Sequence, residues 1–119
     1  MNAVLNNILE RRTIKPDRYT GNTVDDKLIE EMLLAAHWAP THGNTEPWQF
    51  KVFTSDGRHV LFDFLKQWHL DIGDNEIKIE KTRKRIFQTS HIISLGMKRG
   101  DNPKIPEIEE LLAVGASVQ

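Results

Sequence analysis

The sequence has no cysteine among its 119 residues, which excludes disulfides, thiolate nucleophiles and thiolate metal ligands. It also lacks charge of one dominant sign. Lys plus Arg number 16 against 17 for Asp plus Glu, a formal net charge of −1, so no overall field draws the chain to nucleic acid or to an anionic membrane surface. No apolar run approaches the roughly 20 residues that span a bilayer. Met1 to Glu10 lacks the basic region and apolar run of an export signal. The chain reads as soluble and untargeted, and its composition fits a reducing cytoplasm. At this length one domain over residues 1–119 is expected, with roughly two-thirds of the unfolded surface available for burial.

Several chemical signatures are missing as well. Neither the glycine-rich dinucleotide pattern G-x-G-x-x-G nor the Walker pattern occurs, and no G-x-S-x-G nucleophile elbow is present. His37 and His42 are separated by Pro40 and do not share a helical face, while His59, His69 and His91 are scattered, so no metal site is expected.

What is present centres on Ala39 to Trp48, Ala-Pro-Thr-His-Gly-Asn-Thr-Glu-Pro-Trp. Pro40 and Pro47 fix φ near the ends of this stretch, and Gly43 permits backbone conformations closed to other residues. Such a loop can present His42, Asn44 and Glu46 in set directions. A merely polar connection between helix and strand would have the same composition, and the residues alone leave both readings open.

On either side the patterning is clear. Asn2 can cap a helix carrying Val4, Leu5, Ile8 and Leu9 at helical spacing, ending near Arg12. Ile14-Lys15-Pro16 reads as extended and Tyr19 to Asn22 as a turn. Thr23 and Asp26 are spaced as a capping pair for a second helix, with Leu28, Ile29, Met32, Leu33 and Ala36 on one face and an end near Trp38. Gln49 to Thr54 predicts a strand closed by Ser55-Asp56-Gly57, and Arg58 to Trp68 a third helix. Leu70 to Asn75 reads as irregular. Glu76 to Gln88 is a charged segment whose Lys and Arg residues are interrupted by Glu and lack interleaved aromatics, which favours a solvated helix face over a nucleic-acid surface. Ile92 to Met97 suits a buried strand, and Pro106 opens a last helix with Glu107, Glu109 and Glu110 in its first turn. No basic turn or glycine stop precedes Gln119. Two strands and about five helices give a thin sheet for so many apolar faces, so a partner or further chain is expected to complete the core.

Arg11-Arg12-Thr13 is the remaining anion-binding candidate, because two guanidinium forks and a hydroxyl can grip a phosphate. The same basic pair could simply satisfy the negative end of the first helix.

Taken with the Ala-Pro-x-His-x-x-x-Glu-Pro-Trp loop and the strand that follows it, the triplet resembles the FMN-dependent nitroreductase family. The likeness continues through the Lys/Arg-rich segment, the apolar strand and the Pro-opened helix ending Ala-Val-Gly-Ala-Ser-Val-Gln, and so covers nearly the whole chain. The resemblance implies an α+β nitroreductase-like fold, a sheet flanked by helices, in an intertwined homodimer. It implies FMN as cofactor, NAD(P)H as electron donor, and a small nitroaromatic, quinone or similar acceptor. Arg11, Arg12 and Thr13 would hold the phosphate and ribityl end. His42, Asn44 and Glu46, shaped by Pro47 and Trp48 and usually belonging to the other subunit, would reach the flavin. No dedicated acid or base carries over. Glu46, where the family also uses Gln, would oppose flavin reduction if ionised near the ring's pyrimidine edge unless it donates as the acid or pairs with a cation. Family chains are longer, their second half supplying further strands and another basic phosphate contact, so this chain is expected to be the N-terminal portion. The alternative is a flavin-free structural or interaction module derived from the same fold.

Overall fold

The computed structural model describes residues 2–119, and Met1 lies outside the described residues. Five helices, α1 (Ala3–Glu10), α2 (Asp26–His37), α3 (Gly57–Asp71), α4 (Glu76–Phe87) and α5 (Glu107–Val118), surround two strands, β1 (Trp48–Thr54) and β2 (His91–Met97). The strands pair antiparallel, from Trp48 opposite Met97 to Thr54 opposite His91. This register sets Phe50 opposite Leu95 and Val52 opposite Ile93, so aromatic and branched side chains meet across the ladder on one face. Helix α5 lies against that face, where Trp48, Ala113 and Val114 form a buried cluster flanked by Ala39, Phe50, Leu95 and Met97. The sheet is thus covered where the loop enters it.

The helix starts follow local hydrogen bonding. Asn2 caps α1 as expected, its side-chain oxygen accepting from the Val4 and Leu5 amides at 2.9 and 3.1 Å. In α2 the cap is Asp25, not the expected Thr23. Asp25 has extended backbone and accepts from the Lys27 amide at 2.9 Å, which leaves Asp26 inside the first turn. Asp26 is thereby free to bond His91 Nε2 at 2.7 Å, while His91 Nδ1 meets Ser90 Oγ at 2.8 Å and Ser90 Oγ accepts from the Val24 amide at 3.0 Å. This chain of bonds ties the start of α2 to the start of β2. Pro16–Arg18, unforeseen in the sequence, forms a 3-10 turn just beyond the extended Lys15.

Helices α3 and α4 form a hairpin. Helix α3 runs three residues past the expected Trp68 before Gly73, at φ 76°, turns the chain, and Asn75 caps α4. His69 joins the two helices, its Nδ1 to Asp74 at 2.8 Å and its Nε2 to Thr82 at 2.9 Å, while Lys78 also pairs with Asp74. At the other end Phe87 packs on His59 and Phe62 and lies 5.7 Å below the Arg58 guanidinium. Apolar residues of α1 (Val4, Leu5, Ile8, Leu9) and of α5 (Ile108, Leu111, Leu112) are exposed, as the thin sheet implied. Among the described residues no helix is long and apolar enough to cross a membrane.

The Lys78 and His69 bonds hold the Asp74 carboxyl below the usual aspartate range. A depressed folded-state value means that this bond contributes stability above the unfolded-state pKa of about 3.9, and that the contribution is lost as pH falls through the lower folded value. Asp74→Asn is therefore expected to lower Tm at pH 7 and to flatten the loss of Tm on acidification below about pH 4. Thermal melts from pH 3 to 7 check this, and parallel curves for the two proteins would refute it.

Candidate functional site

The loop from Ala39 to Trp48 is held from inside. Pro47 is less than 2% exposed and Trp48 only 6%, so the end that enters β1 is sunk in the core. Trp48 Nε1–H donates to His37 Nδ1 at 3.1 Å, fastening the loop's exit to the last turn of α2. Thr41 Oγ1 accepts from the Glu46 amide and meets Thr45 Oγ1, each at 3.2 Å, which closes the loop on itself. Gly43, Asn44 and Glu46 all take positive φ, at 61°, 51° and 44°. For Asn and Glu that conformation is strained, and such strain persists only where the surroundings over-determine it.

The surroundings here are the segment leading into α5. The Lys98 amide donates to Pro47 O at 2.8 Å. Ile105, 2% exposed, packs where a Cβ on Gly43 would lie. Gly100 fits between Thr45 and Glu110, and its amide donates to both Glu110 carboxylate oxygens at 3.1 Å. Glu110 is 1% exposed, with Arg99 Nε 3.9 Å away. His42 Nδ1 bonds Glu109 on the first turn of α5, and His37 Nε2 lies 3.6 Å from Glu46. His42, Asn44 and Glu46 are consequently presented together on an exposed rim over a rigid base.

The triplet sits elsewhere. Arg11, Arg12 and Thr13 are exposed beyond α1, and among the described residues no hydrogen bond or ion pair joins them to the loop. Arg12 Nη1 donates to Leu9 O at 2.7 Å and to Arg11 O at 2.8 Å, so its guanidinium satisfies the helix end. Among the described residues no side-chain hydrogen bond engages Arg11 or Thr13.

A cleft of about 660 Å³ lies close by in the chain, lined by Lys15, Pro16, Asp17, Lys81, Lys84, Arg85 and Gln88. The Glu76–Gln88 charges are exposed, as a solvated helix face requires, but the cleft they form with Lys15 was not foreseen. The available signal was spacing: Lys81, Lys84, Arg85 and Gln88 share one side of α4, and Lys15 stands two residues past Thr13. Other α4 cations are neutralised locally. Arg83 forms a bidentate bond to Glu80 at 2.9 Å, which lowers the Glu80 carboxyl from its usual range and raises Arg83, and Lys78 pairs with Asp74. Among the described residues, Lys15, Lys81, Lys84 and Arg85 have no carboxylate within ion-pair distance. Asp17 lines the same cleft, and Lys84 acts through space on the Glu80 carboxyl, so the surplus of positive charge there is partial.

Residues 8–119 match the Nitroreductase family. The chain belongs to that family. The Escherichia coli K12 protein named "Putative NAD(P)H nitroreductase YdjA" is 30% identical over 90 residues, which cover 76% of this chain and 49% of that protein. A nitroreductase-like family protein from Bacillus cereus superposes with a TM-score of 0.78 at 25% identity, over 99% of this chain and 61% of its own. A structure described as a "putative nitroreductase in complex with fmn", from Desulfovibrio desulfuricans, gives 0.71 at 28% identity, over 99% and 59%. The chain therefore spans about half the length of the curated relatives it matches. The nitroreductase-like α+β fold expected from the paired motifs is the one observed.

The left-handed backbone at Gly43 and the closeness of Ile105 generate a prediction. In Gly43→Ala the new Cβ would come 2.8 Å from Ile105 Cδ1. The substitution is expected to cost about 1–3 kcal/mol, combining the left-handed penalty with displaced packing. Urea denaturation measures the loss, and an unchanged midpoint would contradict the tight packing assigned to this nitroreductase loop.

Proposed function

We propose that this nitroreductase-family chain serves an FMN-dependent oxidoreductase that passes electrons from NAD(P)H to a small nitroaromatic, quinone or similar acceptor, and that it works as a homodimer in the cytoplasm. The observation that carries the reading is the cleft of unpaired cations immediately after the Arg11-Arg12-Thr13 triplet. A flavin mononucleotide needs a phosphate grip at one end and positive charge beside the ring at the other, and the cleft volume is within the range of small-ligand sites. The FMN in the Desulfovibrio desulfuricans structure and the NAD(P)H in the name of the Escherichia coli relative support it.

When bound, FMN supplies the redox chemistry, with hydride arriving from the nicotinamide and electrons leaving to the acceptor. The protein's own residues bind and tune. The Arg11 guanidinium and the Thr13 hydroxyl would hold the phosphate, with Arg12 adding charge from the helix end. Lys15, Lys81 and Arg85 would add positive charge to the site, and positive charge close to a flavin favours its anionic reduced form. His42, Asn44 and Glu46 would offer the flavin further hydrogen-bonding partners. His37 Nε2 lies 3.6 Å from Glu46 and would face its carboxylate with an N–H donor. Exposed apolar residues on α1 and α5 support association of two copies, since surfaces of that kind mark interfaces.

The second reading, a flavin-free interaction module, draws on Arg12, whose Nη1 is engaged by the backbone carbonyls of Leu9 and Arg11. Flavin absorbance of the purified protein, with release of FMN on denaturation, separates the two; a colourless dimer that does not take up added FMN favours the module. Arg11→Ala is expected to weaken FMN binding by about 2 kcal/mol, roughly 30-fold, because charge-assisted bonds contribute ~1.5–3 kcal/mol each. Arg12→Ala should cost less. Equal and negligible effects in a fluorescence titration would remove the phosphate assignment.

A further inference from the structure

The loop's two histidines meet partners of opposite hydrogen-bonding character. His37 Nδ1 faces the Trp48 indole, 3.1 Å away and nearly perpendicular to the imidazole. An indole N–H can only donate, so Nδ1 of His37 is bare and, in the neutral ring, the proton resides on Nε2, the nitrogen nearest Glu46. His42 is the reverse. Its Nδ1 meets Glu109 Oε2, and an ionised carboxylate can only accept, so the proton resides on Nδ1 and Nε2 is bare.

We propose that Glu109 is a positioning residue. From the first turn of α5 it fixes His42 in the Nδ1–H form and turns Nε2 outward as a hydrogen-bond acceptor for an N–H or O–H group of the bound ligand. Two features hold the arrangement, and a third leaves it accessible. The Glu109 amide donates to Pro106 O at 3.1 Å, which seats the residue at the helix start. Ile105, the residue before Pro106, packs against Gly43, so the backbone on either side of the His42–Glu109 bond is pinned. The His42 side chain is 61% exposed, and among the described residues Nε2 has no partner. The loop rim therefore offers an imidazole acceptor at His42 and, at Glu46, a carboxylate faced by an imidazole donor. A ligand edge that alternates donors and acceptors, as in a cyclic imide or a polyol chain, matches that pattern. The ligand part of the inference rests on the FMN reading above, whereas the assignment of ring protons does not.

The test is two-bond 15N–1H correlation spectroscopy of histidine-labelled protein at about pH 8, where unperturbed imidazoles are neutral. The expected spectra show His42 as the Nδ1–H form and His37 as the Nε2–H form. In Glu109→Gln the amide can donate as well as accept, so His42 should shift toward the Nε2–H form while His37 keeps its pattern and reports an intact loop. His42 as Nε2–H in the unsubstituted protein, or a pattern unmoved by Glu109→Gln, would overturn the positioning role. Added FMN gives the second readout: the His42 Nε2 resonance should move, and Glu109→Gln should weaken binding roughly tenfold, about one hydrogen bond. FMN bound without any change at Nε2 overturns the acceptor role. If no FMN binds to the unsubstituted protein, the functional reading and the ligand role fall together, while the ring-proton pattern still decides the positioning claim.

Discussion

Burial of Pro47 and Trp48 at the mouth of the sheet is the constraint from which the rest of the site follows. Placing an indole against Ala113 and Val114 removes a large apolar surface from water, a contribution on the order of 3 kcal/mol. Because the two residues are consecutive and one is proline, their burial fixes both the position of the loop's end and the direction from which it arrives. Everything between His37 and Trp48 must then close over a short span. The positive φ values at Asn44 and Glu46 are the local cost of that closure, offset by contacts to Ile105, Gly100 and Glu110.

A second organising feature is the way charge is distributed. Glu110 is buried beneath the loop and satisfied by the Gly100 amide, with Arg99 at the edge, so its role is to hold a turn of backbone against the loop's underside. On α4 the opposite arrangement holds. Lys78 and Arg83 are paired with Asp74 and Glu80, whereas among the described residues Lys81, Lys84 and Arg85 line the cleft beside Lys15 and Asp17 without an ion pair. Exposed pairs of the first kind contribute little stability. Unpaired cations of the second kind gather positive potential in a concave surface, the arrangement that concentrates an anionic ligand.

The contrast between Thr23 and Asp25 shows where reading from sequence loses precision. Both residues are good caps, and in the fold Asp25 caps the helix while Asp26, inside the first turn, bonds His91, a residue far along the chain. Arg12 shows a different limit. Its sequence neighbourhood suits both a phosphate grip and a helix end, and the fold turns its guanidinium onto Leu9 O and Arg11 O without altering what Arg11 and Thr13 offer.

Helical periodicity, β-branched runs and proline placement depend on neighbours within a few residues, which is why the five helices, the two strands and the loop joining α2 to β1 were all legible in the sequence. The paired motifs likewise marked the nitroreductase family. The tertiary structure alone decided which charges face one another, and so the Lys15–α4 cleft, the Glu109–His42 bond and the Trp48–His37 bond. Each of these joins groups brought together by the packing of separate elements, and hydrogen bonding and Coulomb attraction act over ångströms in space, a distance that spacing along the chain does not encode.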